Sequence, residues 1–211
     1  MNKKHDIRID RTKLHPWLNY KLTLLLKQCA KKGIYLIITQ GFRSKAEQDA
    51  LYAQGRTKKG NIVTNAKGSD YSSQHQWGIA FDIAINDSKL LYDVATIKKV
   101  AAIAKSKKVG LAWGGDWVSP VDTPHFYLEK WGDTPAKLKR TYGIFEKFKK
   151  TWTKEVFGTK KGLNIWNKTR TKVLKKKLPN KTKVNVMYVK KGYAKVECNG
   201  VVGYMKAKYL L

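Results

Sequence analysis

Two histidines and two aspartates stand at spacings that suit a catalytic metal site. His75 and Asp82 are seven residues apart around Gly78, and His125 follows 43 residues after Asp82. Two His and one Asp make the three-ligand set of a catalytic zinc site, whose fourth position stays open for water. Asp122, close to these ligands but outside the set, can take a proton from that water and pass it to a leaving amine. Such spacing also arises by chance, and a lone His is usually an ordinary packed or exposed residue.

Local patterns predict the helices and strands around these residues. Residues 16–30 form an amphipathic pattern with Pro16 near the start, which predicts a helix followed by a strand at 34–39. Ser44 with Glu47 three residues on makes a capping box and predicts a helix over 45–54. Residues 56–74 are polar and rich in Gly, Asn and Ser, which predicts a long functional loop.

The rest of this region completes a mixed fold. A second amphipathic pattern predicts a helix over 96–108, and residues 125–129 have the composition of a strand. Because helices and strands do not alternate in a βαβ rhythm, the pattern favours an α+β class over a doubly wound sheet.

The pattern of apolar and polar residues changes after residue 161. Short alternating segments at 162–166, 183–189, 193–198 and 201–205, with a hairpin turn at Asn199 and Gly200, predict a small all-β barrel. We therefore expect a catalytic domain over 1–148, a charged linker over 149–161 and a β domain over 162–211.

The charge predicts a polyanionic partner. The chain carries 44 Lys and Arg against 15 Asp and Glu, a net charge of +29, and residues 149–211 hold 18 of the basic residues and only 2 acidic ones. Nucleic acid, anionic lipid and anionic wall polymer are all polyanions that a chain of this charge could bind. Most of these basic residues are Lys, which favours a nonspecific anchor over a reader of base sequence.

Composition also excludes some classes of protein. A hydrophobic fraction of 42% excludes a disordered basic tail as a description of the whole chain. No apolar run approaches the roughly 18 residues of a membrane span, and no signal peptide is evident at the start. We expect a monomer that is made in the cytoplasm.

The run Ser-x-His-x-x-Gly-x-Ala-x-Asp at 73–82, with Asp-x-Pro-His at 122–125, resembles the signature of a family of zinc peptidases. This family groups D-alanyl-D-alanine carboxypeptidases with hedgehog domains. Further motifs are similar to the L-alanyl-D-glutamate endopeptidases of phage endolysins and related Bacillus wall hydrolases. They are Gly-Phe-Arg-Ser at 41–44, Glu-Gln at 47–48, Leu-Tyr-Ala-Gln-Gly-Arg-Thr at 51–57, Ile-Val-Thr-Asn-Ala at 62–66 and Trp-Gly-Gly-Asp-Trp at 113–117.

This resemblance implies a role for each motif residue. It implies that His75, Asp82 and His125 ligate Zn²⁺. It implies that Asp122 is the general base, and that Arg43 steadies the substrate carbonyl as negative charge develops on it. Gln76 departs from the family pattern, where Asn is frequent after the first ligand.

Three loop residues are candidates for substrate binding. Arg56 and Asn65 can bind carboxylates of the stem peptide, although a solvated loop is an equal alternative. Ser73 can contact substrate, cap a helix or donate to a ligand, and it lacks the surroundings of a nucleophile.

Residues 162–211 resemble the bacterial Src-homology-3-like wall-binding domain. The resemblance rests on Leu-Asn-Ile at 163–165, Tyr-Ala-Lys-Val at 193–196, the turn at 199–200 and Gly-Tyr-Met at 203–205. It implies a groove whose candidate wall-binding aromatics are Trp166, Tyr188, Tyr193 and Tyr204. The alternative is that at least half of the aromatic residues, Tyr209 included, fill the core of so small a domain.

The function implied is peptidoglycan hydrolysis by an endolysin at the L-alanyl-D-glutamate bond, using a zinc-activated water. The alternatives are a D-alanyl-D-alanine carboxypeptidase, a zinc-bearing wall-binding protein without turnover, and a nucleic-acid binder. Retention of Asp122 argues against the second, and the ordered metal motifs argue against the third. Release by a phage holin or by lysis would bring the protein to peptidoglycan and its anionic polymers.

Overall fold

The structure is a computed structural model that describes residues 4–129 and 135–211. Its internal contacts divide the chain after Phe145 into an N-terminal unit and a C-terminal unit. The helices are α1 (Pro16–Ala30), α2 (Lys45–Ala53), α3 (Val94–Lys105), α4 (Pro135–Tyr142) and α5 (Phe145–Lys150). Within these described ranges, no helix has both the length and the apolar composition needed to cross a membrane.

The N-terminal unit contains a five-stranded mixed sheet together with helices α1 to α4. Its strands, in chain order, are β1 (Asp6–Ile7), β2 (Leu36–Gln40), β3 (Ala80–Ile85), β4 (Ala112–Trp113) and β5 (His125–Tyr127). Their order in the sheet is β1-β2-β3-β5-β4, with β1 parallel to β2 and the other pairs antiparallel. The core is built from fully buried side chains of α1, α3 and the sheet, such as Leu22, Val100, Ile38 and Phe81. The predicted mixture of helices and strands is confirmed.

Helix α2 begins where the sequence predicts it. The Ser44 hydroxyl accepts the Glu47 N–H (3.2 Å), and the Glu47 carboxylate accepts the Ser44 N–H (2.7 Å). This reciprocal pair satisfies two of the N–H groups that a helix start leaves without partners. The helix ends at Ala53, one residue before the predicted end.

Helix α3 starts two residues before the predicted position. Asp93 is its N-cap, because the carboxylate accepts the N–H of Thr96 (2.7 Å). The helix ends at Lys105, three residues earlier than predicted, where Ser106 leaves the helical conformation.

The C-terminal unit is a six-stranded antiparallel sheet. Its strands are β6 (Thr153–Glu155), β7 (Leu163–Trp166), β8 (Val173–Leu178), β9 (Lys183–Lys190), β10 (Tyr193–Cys198) and β11 (Val201–Lys206), in the order β6-β9-β10-β11-β7-β8. The predicted hairpin joins β10 to β11, with positive φ at both Asn199 and Gly200. Alternate residues such as Ile165, Val196 and Met205 face one buried cluster.

Two expectations for this region are wrong. Residues 149–161 are not a linker, because β6 lies within them and pairs with β9 from Thr153 to Glu155. The sheet is also open over the described residues: β6 and β8 are its edges, where a closed barrel was expected. Strand β8 was not predicted, because three consecutive lysines, Lys175 to Lys177, interrupt the alternation of apolar and polar residues that is typical of a strand. The division after Phe145 lies three residues before the expected one.

Candidate metal centre

A short 3-10 turn at Gln74–Trp77 and strand β3 place the first two candidate ligands, His75 and Asp82. Gly78 ends the turn with φ 62°, a left-handed conformation that glycine adopts without strain. Strand β5 runs antiparallel to β3, and His125 lies directly opposite Asp82. Cross-strand partners have their side chains on the same face and within reach of each other, so this register brings the third candidate ligand to the first two.

Three ligand atoms converge at this point. His75 Nε2 lies 3.3 Å from Asp82 Oδ1 and 3.2 Å from His125 Nδ1, and His125 Nδ1 lies 3.0 Å from the same Asp82 oxygen. Tetrahedral zinc with bonds of about 2.0–2.1 Å places its ligand atoms roughly 3.3 Å apart. The residues therefore fit a tetrahedral metal ion, and among the described residues they are the group able to hold one.

The outer ring nitrogens have acceptors as partners. His75 Nδ1 lies 2.7 Å from the carbonyl oxygen of Gly41, and His125 Nε2 lies 2.5 Å from Gln74 Oε1. Each outer nitrogen must therefore donate, which in a neutral imidazole leaves a lone pair on the inner nitrogen. Two such lone pairs and a carboxylate face each other, and only a shared cation, a proton or a metal ion, makes this arrangement favourable.

The environment keeps Asp82 ionised. Burial by itself would raise the pKa of its carboxyl. When the inner nitrogens carry protons, the charge of His75 and then the hydrogen bonds from His125 and His75 outweigh burial and hold the pKa well below its usual range. An ionised carboxylate is the form that binds a metal.

Asp122 lies on the same cleft, on the turn that leads into β5. Its backbone carbonyl accepts the N–H of His125 (3.3 Å), and its own N–H donates to Gly114 (3.1 Å). A Cβ at Gly114 would lie 2.6 Å from the Asp122 carbonyl oxygen, so this approach needs glycine. Burial, and then the charge of Asp82, raise the pKa of the Asp122 carboxyl. A carboxylate with a raised pKa is a better proton acceptor.

Arg43 lines the cleft and is tied to its wall through Gln48. Its Nη1–H donates to Gln48 Oε1 (2.8 Å), and the fully buried Gln48 amide donates to the Ala66 carbonyl (2.8 Å). Arg43 Nε is buried and has no hydrogen-bond partner among the described residues. Burial lowers the pKa of Arg43, while the carboxylates of Asp82, Glu47 and Asp122 raise it. The guanidinium stays charged, because an arginine pKa lies far above neutrality.

The cleft has a volume of about 830 Å³. Two of the three predicted substrate-binding residues, Asn65 and Ser73, line it. Arg56 does not line it. The Arg56 guanidinium donates to the Tyr52 carbonyl (2.7 Å), the Thr64 carbonyl (3.1 Å) and Asn65 Oδ1 (3.1 Å). These bonds hold the loop that carries Asn65. A direct contact between Arg56 and the substrate stays a prediction.

An aromatic wall beside His125 was not assigned from the sequence. The Trp117 ring centroid lies 5.0 Å from that of His125, and the Tyr127 centroid lies 5.7 Å from it. Trp117 Nε1–H donates to the Tyr127 hydroxyl (3.0 Å). The Trp-Gly-Gly-Asp-Trp motif was the available signal for this wall. Its Asp116 is an exposed residue that pairs with Lys105 (2.9 Å).

The four predicted wall-binding aromatics lie outside the core of the C-terminal unit. Strand register places Tyr188, Lys195, Tyr204 and Trp166 side by side across β9, β10, β11 and β7. The two tyrosine hydroxyls are 3.1 Å apart. Burial and the charge of Lys168 lower the pKa of Lys195. We call Tyr188, Tyr204 and Trp166, together with Lys195 between the two tyrosines, the aromatic row.

Tyr193 lies two residues before Lys195 on β10, with the Arg170 guanidinium 4.5 Å from its ring centroid. Of the five aromatic residues considered for the core, Tyr209 packs against the buried cluster.

Comparison with known proteins identifies relatives of the N-terminal unit. Residues 11–114 match the model of the family VanY, D-alanyl-D-alanine carboxypeptidase. The chain is 43% identical over 126 residues to the peptidoglycan L-alanyl-D-glutamate endopeptidase CwlK of Bacillus subtilis, an alignment that covers 54% of this chain and 73% of CwlK.

Two solved structures are similar to this chain, one over 59% of its length and the other over 91%. The Serratia marcescens L-Ala D-Glu endopeptidase ChiX has a TM-score of 0.44 and 22% identity, covering 59% of this chain and 86% of ChiX. The vancomycin resistance D,D-dipeptidase VanXYg, in complex with a D-Ala-D-Ala phosphinate analogue, has a TM-score of 0.41 and 15% identity, covering 91% of this chain and 80% of VanXYg.

Proposed function

The chain belongs to the VanY family, and from that premise we propose that it is a zinc peptidase of peptidoglycan that cleaves the L-alanyl-D-glutamate bond of the stem peptide. The observation that carries this proposal is the convergence of His75, Asp82 and His125 in the cleft that Arg43 and Asp122 also line. The choice of bond is supported by the 43% identity to an enzyme named for it.

His75 Nε2, Asp82 Oδ1 and His125 Nδ1 would hold the zinc ion. When bound, zinc supplies a Lewis acid that polarises the scissile carbonyl and lowers the pKa of a water molecule toward about 7. The remaining chemistry belongs to the side chains of this chain.

Asp122 and Arg43 divide that chemistry. Asp122 takes a proton from the attacking water, whose oxygen bonds to the carbonyl carbon. As the C–N bond breaks, the same proton goes from Asp122 to the departing amine nitrogen. The Arg43 guanidinium stabilises the negative charge that develops on the carbonyl oxygen, and its bond to Gln48 holds it in place without further reorganisation.

Digestion of purified cell-wall sacculi tests this function. We expect wild type to release stem peptides with new N-terminal D-glutamate, detected by mass spectrometry, and Asp122→Ala to release none while retaining zinc. Asp116→Ala is the matched control, because this exposed aspartate pairs with Lys105 and does not line the cleft. Intact stems with wild type would contradict the proposal.

The second candidate activity is D-alanyl-D-alanine carboxypeptidase. The description of the matching family model favours it. The same digestion separates the two activities, because a carboxypeptidase releases free D-alanine and leaves the L-alanyl-D-glutamate bond intact.

The C-terminal unit is proposed to be a Src-homology-3-like wall-binding domain. Its support is the aromatic row together with Tyr193, and the excess of 18 basic over 2 acidic residues in 149–211. Partly exposed aromatics offer apolar contact area with polar edges, and lysines attract anionic wall polymers. Holding the enzyme on the wall raises the local concentration of its substrate. We further propose that it acts as an endolysin monomer that reaches the wall through a phage holin or by lysis.

A further inference from the structure

Gln74 contacts the candidate ligand His125 at the ring nitrogen that faces away from Asp82. Its Oε1 lies 2.5 Å from His125 Nε2, while His125 Nδ1 faces Asp82 Oδ1 at 3.0 Å. We propose that Gln74 is a positioning residue that fixes the tautomer and ring orientation of His125 for metal binding. This inference rests on the proposed zinc site.

The two ring nitrogens of His125 each face a hydrogen-bond acceptor. Asp82 can only accept a hydrogen bond, so by itself it favours a proton on Nδ1, the nitrogen that must be free of hydrogen to bind a metal. The oxygen of Gln74 also only accepts, and it favours the proton on Nε2. Gln74 therefore opposes the effect of Asp82 and keeps the metal-binding nitrogen available.

The other candidate histidine does not depend on a side chain in this way. His75 Nδ1 donates to the backbone carbonyl of Gly41 (2.7 Å), an acceptor that no substitution removes. His125 depends on a side chain at position 74, directly before His75 on the same 3-10 turn. A single turn thus supplies one ligand and the support of another.

The neighbouring aromatic rings cannot replace Gln74. Trp117 and Tyr127 pack near the His125 ring, with centroids at 5.0 and 5.7 Å, and restrict its tilt. The indole N–H of Trp117 donates to the Tyr127 hydroxyl and has no lone pair to offer. Over the residues that the structure describes, the hydrogen bond at His125 Nε2 is the one with Gln74.

The test compares three full-length variants with wild type by zinc affinity, measured in competition with a chromophoric chelator. Gln74→Met keeps the length of the side chain and removes the acceptor, and we expect it to weaken zinc binding about 10- to 100-fold. Gln74→Glu keeps an acceptor and makes the imidazole more basic, so its affinity should equal or exceed that of wild type. Gln28→Met, on α1 and away from the cleft, is the control and should bind as wild type does.

A second measurement reads the tautomer without metal. Imidazole nitrogen NMR of the zinc-free proteins should show His125 with its proton on Nε2 in wild type and Gln74→Glu. In Gln74→Met we expect a shift toward the Nδ1–H form. A side chain that merely fills space would leave this signature unchanged.

These measurements distinguish a failure of the proposed role of Gln74 from a failure of the proposed zinc peptidase function. If wild type binds no zinc, the proposed function fails first. If wild type binds zinc and Gln74→Met binds it equally well with the same tautomer, the role of Gln74 is overturned and the zinc site stands. Weak binding by both Gln74→Met and Gln74→Glu would also overturn it, because restoring the acceptor would then have no effect.

Discussion

At the scale of single residues, the two candidate histidine ligands present different nitrogens to the same point. His75 faces it with Nε2 and His125 with Nδ1, because their outer nitrogens donate to a backbone carbonyl and to a glutamine oxygen. Asp82 Oδ1 lies at a similar distance from both of these nitrogens, and the pKa of its carboxyl is held well below the usual range. The residue types allow a metal site, but the nitrogen that each ring uses depends on its hydrogen-bond partner.

Arg43 gives a prediction at this scale. Arg43→Lys should lower kcat about 10²- to 10³-fold, because a lysine ammonium on a flexible stem cannot keep both the bond to Gln48 and a fixed position over the carbonyl. Zinc affinity should not change. Steady-state kinetics on a purified stem peptide measure the effect, with Arg140→Lys, an exposed residue of α4, as control. A kcat equal to that of wild type would contradict the role of Arg43.

At the scale of elements, strand register decides whether the site exists. Asp82 and His125 face each other because β3 and β5 pair antiparallel at these residues. A slip of one residue would turn the Asp82 side chain to the other face of the sheet. The neighbouring β3 residues Phe81 and Ile83 are fully buried, and their burial opposes such a slip.

The capping box of α2 gives a stability prediction. Ser44→Ala removes the hydroxyl that accepts the Glu47 N–H and should lower the free energy of unfolding by about 1 kcal/mol. Urea denaturation followed by circular dichroism measures the change. Ser88→Ala, at an exposed residue between β3 and α3, serves as the comparison, and an equal loss there would show that the cap is not the cause.

The same box predicts a pH dependence. The hydrogen bonds from the side chain and backbone of Ser44 lower the pKa of Glu47. A carboxyl whose pKa is lower in the folded state contributes stability above its unfolded value of about 4.3, and this contribution is lost as the pH falls through the folded pKa. Ser44→Ala should therefore destabilise more at pH 7 than at pH 3. An equal effect at both pH values in urea titrations would contradict this linkage.

At the scale of the whole molecule, charge is distributed unevenly along the chain. Residues 149–211 hold 18 basic and 2 acidic residues, while residues 1–148 hold 26 and 13. The longer part thus carries its charge at a much lower density. The positive field of residues 149–211 attracts polyanions in general and does not distinguish one from another. Any selectivity must therefore come from the aromatic row.

Wall binding by the full chain should therefore depend strongly on salt. We expect the fraction of fluorescently labelled protein bound to purified walls to fall as NaCl rises from about 0.05 to 0.5 M, since screening shortens the Debye length severalfold over this range. Walls stripped of their anionic polymers are the control and should retain less protein at low salt. Binding that ignores both salt and stripping would show that charge does not hold the protein on the wall.

Features that depend on neighbouring residues could be predicted from the order of the amino acids alone. Pro16 and the amphipathic pattern set α1, Ser44 and Glu47 set the start of α2, and Asn199 with Gly200 set a hairpin, because each signal acts within a few residues. The candidate ligands were also identifiable, since a His-Asp-His set at motif spacing is a chemical pattern. Local signals are strong when the interaction that they describe is local.

The partners of side chains and strands without such local signals became visible only in the folded chain. Arg56 donates to the carbonyls of Tyr52 and Thr64, and Gln74 reaches a histidine 51 residues away. The pairing of β6 with β9 joins segments about 30 residues apart and overrides a charged, linker-like composition. For Gln74 and β6 the partner lies far along the chain, so the outcome depends on the packing of distant segments, which the order of residues does not display. The partners of Arg56 are four to nine residues away, and they depend on how the loop folds back on α2.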